Sequence, residues 1–372
     1  MSTDRKYRVG IQGCGVIFPQ YVEGMQRYPE LELAWAADLD ADRLASLQKQ
    51  FNIPSVGTPE QMLADPSVDV VINLTWPGVH HQVSSAALRA GKHVFSEKVI
   101  ALTTSDAQDL ITTARERGLR LGSAPETFLG SWGATSRAVL DSGLIGEVIG
   151  GVAFVTHNYL EFGHPDPRFL FQDGAGPALD RGPYYVAALV NLLGPVAEVC
   201  GMTAWGPKER IMRHPQARVD SFTVEIPTHW TASLRFVSGA VVTVVFSSDI
   251  WANSLPEMEI YGTAGTMKMP NPNYFDGDVH VASIDRGAPF RLVKPPLEPR
   301  GNYRGRGVVD MLTADSPRAS GEFALHTLEV LRAIEESSNT RATIRIGSSL
   351  ERPRWPELDS AADIEFDEAL VL

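Results

Sequence analysis

At 372 residues, 44% of them hydrophobic and 21% charged, the chain exceeds the size at which one core usually keeps growing, and two domains are expected. A formal net charge of -12 opposes association with nucleic acid or an anionic membrane surface, which leaves a small-molecule partner as the expectation. Two cysteines, Cys14 and Cys200, and nine histidines without ligand spacing offer neither a disulfide framework nor a metal site, so no metal is predicted.

No apolar run approaches the ~20 residues of a transmembrane helix. The opening "MSTDRKYRVGIQG" enters a strand without the apolar core of a signal peptide, so a cytoplasmic protein is expected. Through residue 125, the apolar runs "YRVGIQG", "LELAWAAD", "VDVVINLT", "KHVFSEK" and "LRLGSA" alternate with the helical patterns "PQYVEGMQRY", "ADRLASLQKQF", "VHHQVSSAALRAG" and "TTSDAQDLITTARERG". Strands separated by helix-length crossovers predict a parallel, doubly wound Rossmann domain over residues 1–125. Residues 126–372 read as a second α/β domain, to which the resemblance given below assigns substrate binding and oligomerisation. It holds a helix near 130–142, a helix after Pro183, hairpins around Ser238-Gly239 and Thr263–Gly265, and a late helix bearing Phe323, Leu325, Leu328, Val330, Leu331 and Ile334. A mostly antiparallel sheet with helices on one face is expected there, the late helix packing in this domain. The Pro-rich acidic tail after Glu351 reads as an irregular surface segment.

The turn "VGIQGCGVIFPQ" puts Gly13 and Gly15 between the first strand and the first helix, where glycines let backbone approach a pyrophosphate at a helix N-terminus. Gly13, Gly15, Val16 and Ile17 are therefore candidate cofactor contacts; Phe18 fills the third, usually small, position. Cys14 reads as a small turn residue rather than a nucleophile. Asp38, 23 residues after Gly15, can accept hydrogen bonds from adenosine ribose hydroxyls and would repel a 2'-phosphate. Arg43 could reach inward, so NAD is preferred and NADP stays open.

The stretch "ALDRGPYYVAAL" leaves two readings: Asp180 caps the helix that Pro183 opens, or Asp180 and Tyr184 move a proton. The stretch "NLTWPGVHHQVSSAALRAGKHVFSEKVIAL" resembles the Gfo/Idh/MocA family of NAD(P)-dependent oxidoreductases, whose pattern is T-P-P-x-x-H, A-G-K-H-V, then E-K-P. Here these are Thr75-Trp76-Pro77 with His80, Ala90 to Val94, and Glu97-Lys98-Val99; "LLGP" and "EIYGTAGTM" extend the resemblance over nearly the whole chain. Val99 and Trp76 replace prolines of the pattern.

The resemblance implies a Rossmann domain followed by a domain with a large, open, mostly antiparallel sheet, substrate held between them, and a homodimer or homotetramer. Thr75, Trp76, His80, Glu97 and Lys98 are its implied cofactor-side residues, with Lys98 near nicotinamide and substrate and His80 structural rather than the base. Asp180-x-Gly182-x-Tyr184 stands in place of the family's D-x-G-x-H/Y element, with tyrosine as in the subgroup that includes glucose-fructose oxidoreductase and dihydrodiol dehydrogenase. The expected reaction transfers hydride between NAD(P) and a secondary alcohol or ketone of a sugar, cyclitol or glycoside. Tyr184 would exchange the proton, Lys98 would favour its phenolate, and Asp180 would orient a second hydroxyl. His157, Asn158, His164, Asp166, Arg168, Asp249, Trp251 and Asn253 are candidate polyol contacts, with His164 and Trp251 ranked first. A glycoside-cleaving enzyme that uses transient oxidation and a non-catalytic NAD-binding sensor are the alternatives.

Overall fold

The computed structural model describes residues 6–156, 160–172, 174–284, 288–297, 301–358 and 364–371. Its contacts divide into two units, Met1–Leu129 with Arg300–Leu325, and Gly130–Pro299 with His326–Leu372.

The first unit is a six-stranded parallel sheet: β1 (Tyr7–Gln12), β2 (Leu31–Ala37), β3 (Ser55–Gly57), β4 (Val70–Asn73), β5 (His93–Ser96) and β6 (Leu121–Ser123), in the spatial order β3-β2-β1-β4-β5-β6. That order is the doubly wound arrangement, with ligands expected at the carboxyl rim. β4 and most of β1 and β5 are buried, as strands covered on both faces must be. The crossovers are α1 (Phe18–Met25), α2 (Ala41–Phe51), α3 (Pro59–Ala64), α4 (His80–Arg89) and α5 (Thr104–Glu116). β3 and α3 are additions to the sequence reading; β3 is Ser-Val-Gly, with a single apolar residue to mark it. Thr58 caps α3 in a reciprocal capping box with Gln61.

The second unit is built on a ten-stranded sheet. Its elements begin with α6 (Ser131–Asp141), β7 (Val148–Thr156), α7 (Leu160–Gly163), α8 (Gly176–Asp180), α9 (Gly182–Leu193) and β8 (Val196–Ala204). β9 (Glu209–Ile211) and β10 (Ser221–Thr223) form a separate two-stranded sheet; then come β11 (His229–Phe236), β12 (Val241–Ser247), β13 (Met258–Gly262), β14 (Gly265–Met269), β15 (His280–Ser283), β16 (Arg291–Val293), β17 (Ile344–Arg345) and β18 (Phe366–Val371). The order is β17-β8-β11-β12-β7-β13-β14-β15-β16-β18, antiparallel except for the β12–β7 pair. β11 and β12 alternate buried and more exposed residues, the signature of a sheet covered on one face. Gly239 turns that hairpin at φ +95°, in the left-handed region. All twelve residues of α9 are buried, and its Tyr185 meets Phe246 of β12 edge-on.

Two expectations are corrected here. The tail after Glu351 supplies β18, an edge strand paired with β16, and Trp355 is buried with its indole N–H on Asn191 Oδ1 at 3.0 Å. The Pro-rich stretch hid a strand only six residues long. The segment Arg300–Leu325, assigned by sequence position to the second domain, packs in the first unit, where Ser320 bridges to Gly122 beside β6.

Candidate active site

The glycine turn is shaped by its neighbours. Gly13 sits at φ +93°, and a Cβ there would lie 2.7 Å from the Leu74–Thr75 peptide, so the position admits no side chain. Gly15 faces open space and Val16 is 93% exposed, leaving a cradle of backbone above the start of α1. No side chain caps α1 at Ile17, and Pro19 supplies no N–H. Phe18, at the usual small position, is turned into the core, edge-on to Phe51 at 6.0 Å.

Asp38 at the end of β2 closes the turn: its Oδ2 accepts the Cys14 N–H at 2.6 Å and its Oδ1 the Asp40 N–H at 3.0 Å. Arg43 lies 3.7 Å from Asp38 and 3.3 Å from Asp40, so its charge is held between two carboxylates. Cys14 is buried; burial first, then the Asp38 charge, pushes its thiol up to about 12, which suits a packing residue. An open, uncapped, glycine-lined helix start beside an acidic strand end fits a dinucleotide.

Along the same rim, His80 is wholly buried, with Nδ1 2.6 Å from the Val99 carbonyl oxygen and Nε2 2.9 Å from that of Thr75. It thus ties the Thr75 loop to the Lys98–Val99 segment. Burial holds the ring below the usual histidine pKa against both carbonyls and Glu97. A neutral imidazole can donate to only one of these carbonyls, and with both ring nitrogens facing backbone oxygens neither is turned toward a substrate proton. Thr75 Oγ1 donates to Asn73 Oδ1 at 2.6 Å. Trp76 is 68% exposed with its ring over Gly78, unlike the buried fate of most tryptophans. The Lys98–Val99 peptide is cis.

Glu97 is buried and committed inside the protein. Its Oε1 accepts from the Tyr21 hydroxyl at 3.0 Å and from Arg304 at 3.1 Å, and its Oε2 accepts the Lys98 N–H at 3.0 Å. Burial raises its pKa, but the Arg304 and Lys98 charges and these hydrogen bonds outweigh it, and the net direction is down. Glu126, after β6, is also buried and accepts the N–H groups of Gly305 at 3.2 Å and Gly307 at 2.5 Å. Burial dominates there and pushes its carboxyl up to about 7. Tyr21, Glu126 and Arg304 carried no motif; their shared role depends on chain return and is invisible to local spacing.

The three proton-handling candidates fall in different units: Lys98, half-buried, in the first, and Asp180 and Tyr184 in the second. Asp180 ends α8, while the residue preceding α9 is Arg181 in a helical conformation without a side-chain cap. Asp180 thus closes α8, and the N-cap position of α9 is taken by Arg181. Asp180 Oδ2 lies 3.6 Å from Arg181 Nε, and Tyr184 is buried on α9. One residue along, Arg181 and Tyr185 line a polar cavity of about 180 Å³ with Thr156, Asn253, Glu257 and Asn271. Tyr185 donates to Glu257 Oε2 at 2.5 Å, and Asn253 donates to Thr156 Oγ1 at 2.7 Å.

Of the polyol candidates, His157 and Asn158 lie outside the described residues. His164 Nδ1 accepts the Asp166 N–H at 2.9 Å, and Asp166 is paired with Arg168 through two 2.7 Å bonds, so these residues organise their own loop. Asp249 is bound to buried Arg210, which also holds Glu161, so its charge is already paired within the protein. Trp251 is 77% exposed. Among the described residues no cluster of metal-ligating side chains is present, and no helix is long and apolar enough to cross a membrane.

Comparison with known proteins agrees with this geometry. Residues 7–124 match the family model described as "Oxidoreductase family, NAD-binding Rossmann fold", and residues 134–268 match the GFO/IDH/MocA C-terminal domain, together more than half of the chain. A 1,5-anhydro-D-fructose reductase of Ensifer adhaerens is 32% identical over 148 residues, 40% of this chain and 44% of that protein. A D-xylose 1-dehydrogenase (NADP(+)) of Haloferax volcanii is 25% identical over 350 residues, 91% of this chain and 99% of that one. In fold the chain is similar to levoglucosan dehydrogenase in complex with NADH and L-sorbose, with a TM-score of 0.79 and 18% identity over 92% of this chain and 99% of that one. It is also similar to aldose-aldose oxidoreductase from Caulobacter crescentus, with a TM-score of 0.78 and 20% identity over 92% of this chain and 100% of that one. With the glycine turn, Asp38 and the two matched domains in register, the chain belongs to the Gfo/Idh/MocA family of NAD(P)-dependent oxidoreductases and is a dehydrogenase or reductase.

Proposed function

We propose that this protein transfers hydride between NAD(P) and a secondary alcohol or ketone of a sugar, cyclitol or glycoside. The observation that carries the reading is one sheet rim holding both an open glycine turn closed by Asp38 and, two strands away, the Glu97-Lys98 segment. When bound, the nicotinamide cofactor supplies the hydride acceptor or donor. The backbone of Gly13, Gly15, Val16 and Ile17 would hold its diphosphate, and Asp38 the adenosine ribose. Asp38 beside the turn favours NAD; Arg43, already paired with two carboxylates, is less available to a 2'-phosphate.

Removing or restoring the hydroxyl proton needs a group within hydrogen-bond reach of it. Tyr184 takes that role, Asp180 orients a neighbouring hydroxyl, and the Lys98 ammonium polarises the substrate oxygen. A polyol also needs several polar partners, and the cavity of Arg181, Tyr185, Asn253 and Glu257 offers donors and acceptors beside Asp180 and Tyr184 in sequence. Relatives named for xylose and anhydrofructose, and a fold neighbour named for levoglucosan, support the sugar class.

The test is reduced-nicotinamide absorbance with NAD and, separately, NADP over a panel of free sugars, inositols, anhydrosugars and glycosides, run in both directions. NADH formation or consumption with one class establishes the reaction and the substrate class. Absence of turnover with every class, alongside glycoside cleavage detected by chromatography, would replace it with redox-assisted cleavage.

A further inference from the structure

We propose that Arg304 and Tyr21 are positioning residues for Lys98, acting through Glu97. This rests on the reading of Lys98 as a group that meets substrate. The arrangement is a buried relay within the first unit. The Arg304 guanidinium reaches Glu97 Oε1 at 3.1 Å and the Tyr21 hydroxyl at 3.4 Å, and the other Glu97 oxygen takes the Lys98 N–H. Glu97 itself is anchored by its own N–H to the Asn73 carbonyl at 2.8 Å.

The cation is not local: Arg304 lies 207 residues beyond Glu97 and is brought back by the segment Arg300–Leu325. That segment is fastened where it delivers the guanidinium. Asn302 donates to the Gln20 carbonyl at 2.7 Å, Tyr28 donates to the Tyr303 carbonyl at 3.0 Å, and Glu126 holds the Gly305 and Gly307 N–H groups. A Cβ on Gly24 would lie 2.4 Å from the Arg304 carbonyl oxygen, so α1 and this segment touch backbone to backbone.

A carboxylate buried at a strand end is tolerated only when paired and hydrogen-bonded. Without Arg304, Glu97 must take up a proton or turn toward water, and either change weakens its hold on the Lys98 N–H. Tyr21 is on α1, the helix that follows the glycine turn, so the same carboxylate joins the cofactor-side helix to the lysine segment. Arg304 and Tyr21 touch neither reacting atoms nor cofactor in this role; they act on where Lys98 starts.

The test uses the full-length protein as Arg304→Gln, Arg304→Lys and Tyr21→Phe. The first readout is hydrogen exchange of the Lys98 amide in the absence of cofactor, with the Val70–Asn73 amides as a control for general loosening. The second is kcat, KM and the NAD dissociation constant. Loss of one charge-assisted hydrogen bond corresponds to about a tenfold change, so Arg304→Gln is expected to speed Lys98 exchange and lower kcat by about tenfold or more. KM and NAD affinity stay close to wild type, Arg304→Lys recovers part of both effects, and Tyr21→Phe falls between. If Arg304→Gln does not fold, Tyr21→Phe, which removes a single hydroxyl, decides the matter. Lys98 exchange unchanged in the folded variants overturns the positioning. Faster exchange with wild-type kcat leaves the contact real but overturns its part in the reaction, whereas a wild type without turnover on any substrate overturns the functional reading alone.

Discussion

Glu126 allows a prediction with a sign and a size. Its carboxyl is wholly buried, faces Arg304, Glu97 and Tyr28, and accepts two backbone N–H groups, yet burial dominates and pushes it up to about 7. The folded protein therefore binds this proton more tightly than the unfolded chain does. The resulting stabilisation is complete below the unfolded glutamate pKa and is lost as pH rises through about 7. From an ordinary glutamate value of ~4.3, at about 1.4 kcal/mol per tenfold change in proton affinity, the loss amounts to roughly 3–4 kcal/mol. Glu126→Gln cannot titrate. Its single amide oxygen also replaces two acceptors, which adds a pH-independent cost of about 1–3 kcal/mol. The stability of Glu126→Gln relative to wild type should therefore improve by roughly 3–4 kcal/mol between about pH 4 and about pH 9. The assay is a urea titration at several pH values, with first-unit strands followed by hydrogen exchange because two units need not unfold together. A difference between variant and wild type that stays within about 0.5 kcal/mol over that range would refute the argument, since Glu126 would then be ionised in the folded state at no cost.

Tyr184→Phe should lower turnover by about two to four orders of magnitude, the range of a lost acid–base group, with NAD affinity retained by titration; near-normal kcat rejects Tyr184 as the proton carrier. Gly13→Ala places a Cβ 2.7 Å from the Leu74–Thr75 peptide at a left-handed φ, so the φ alone should cost about 1–2 kcal/mol in thermal unfolding; an unchanged melting temperature would show that the turn relaxes. In thiol labelling of the native protein, exposed Cys200 should react promptly and buried Cys14 only as the first unit opens; equal rates would contradict the burial of Cys14 beside Asp38.

The regular parts of the fold were legible because their signals are local. Apolar strand runs alternating with crossover helices announce a parallel sheet, and the Ser238-Gly239 turn between alternating runs announces β11 and β12. Weakly marked elements escaped: β3 holds one apolar residue between Ser55 and Gly57, and β18 carries two acidic residues after a Pro-rich stretch. The glycine turn with Asp38 was readable because spacing along one strand–helix–strand unit sets the distance between them.

What sequence by itself determined, then, is most of the crossover helices and longer strands of the first sheet and the main hairpins of the second, and that a dinucleotide turn and an E-K segment lie on one sheet rim. Tertiary structure decided what surrounds them. Tyr21, Arg304 and Glu126 gather around Glu97 because the chain returns 207 residues beyond Glu97, a separation at which side-chain pattern carries no register. Asp180 reads as the N-cap of α9 from composition, yet Arg181 takes that position, because α8 continues almost directly into α9. Backbone hydrogen bonding is written in short-range periodicity, whereas the pairing of buried charges is settled only when the core closes and each ion must find its partner.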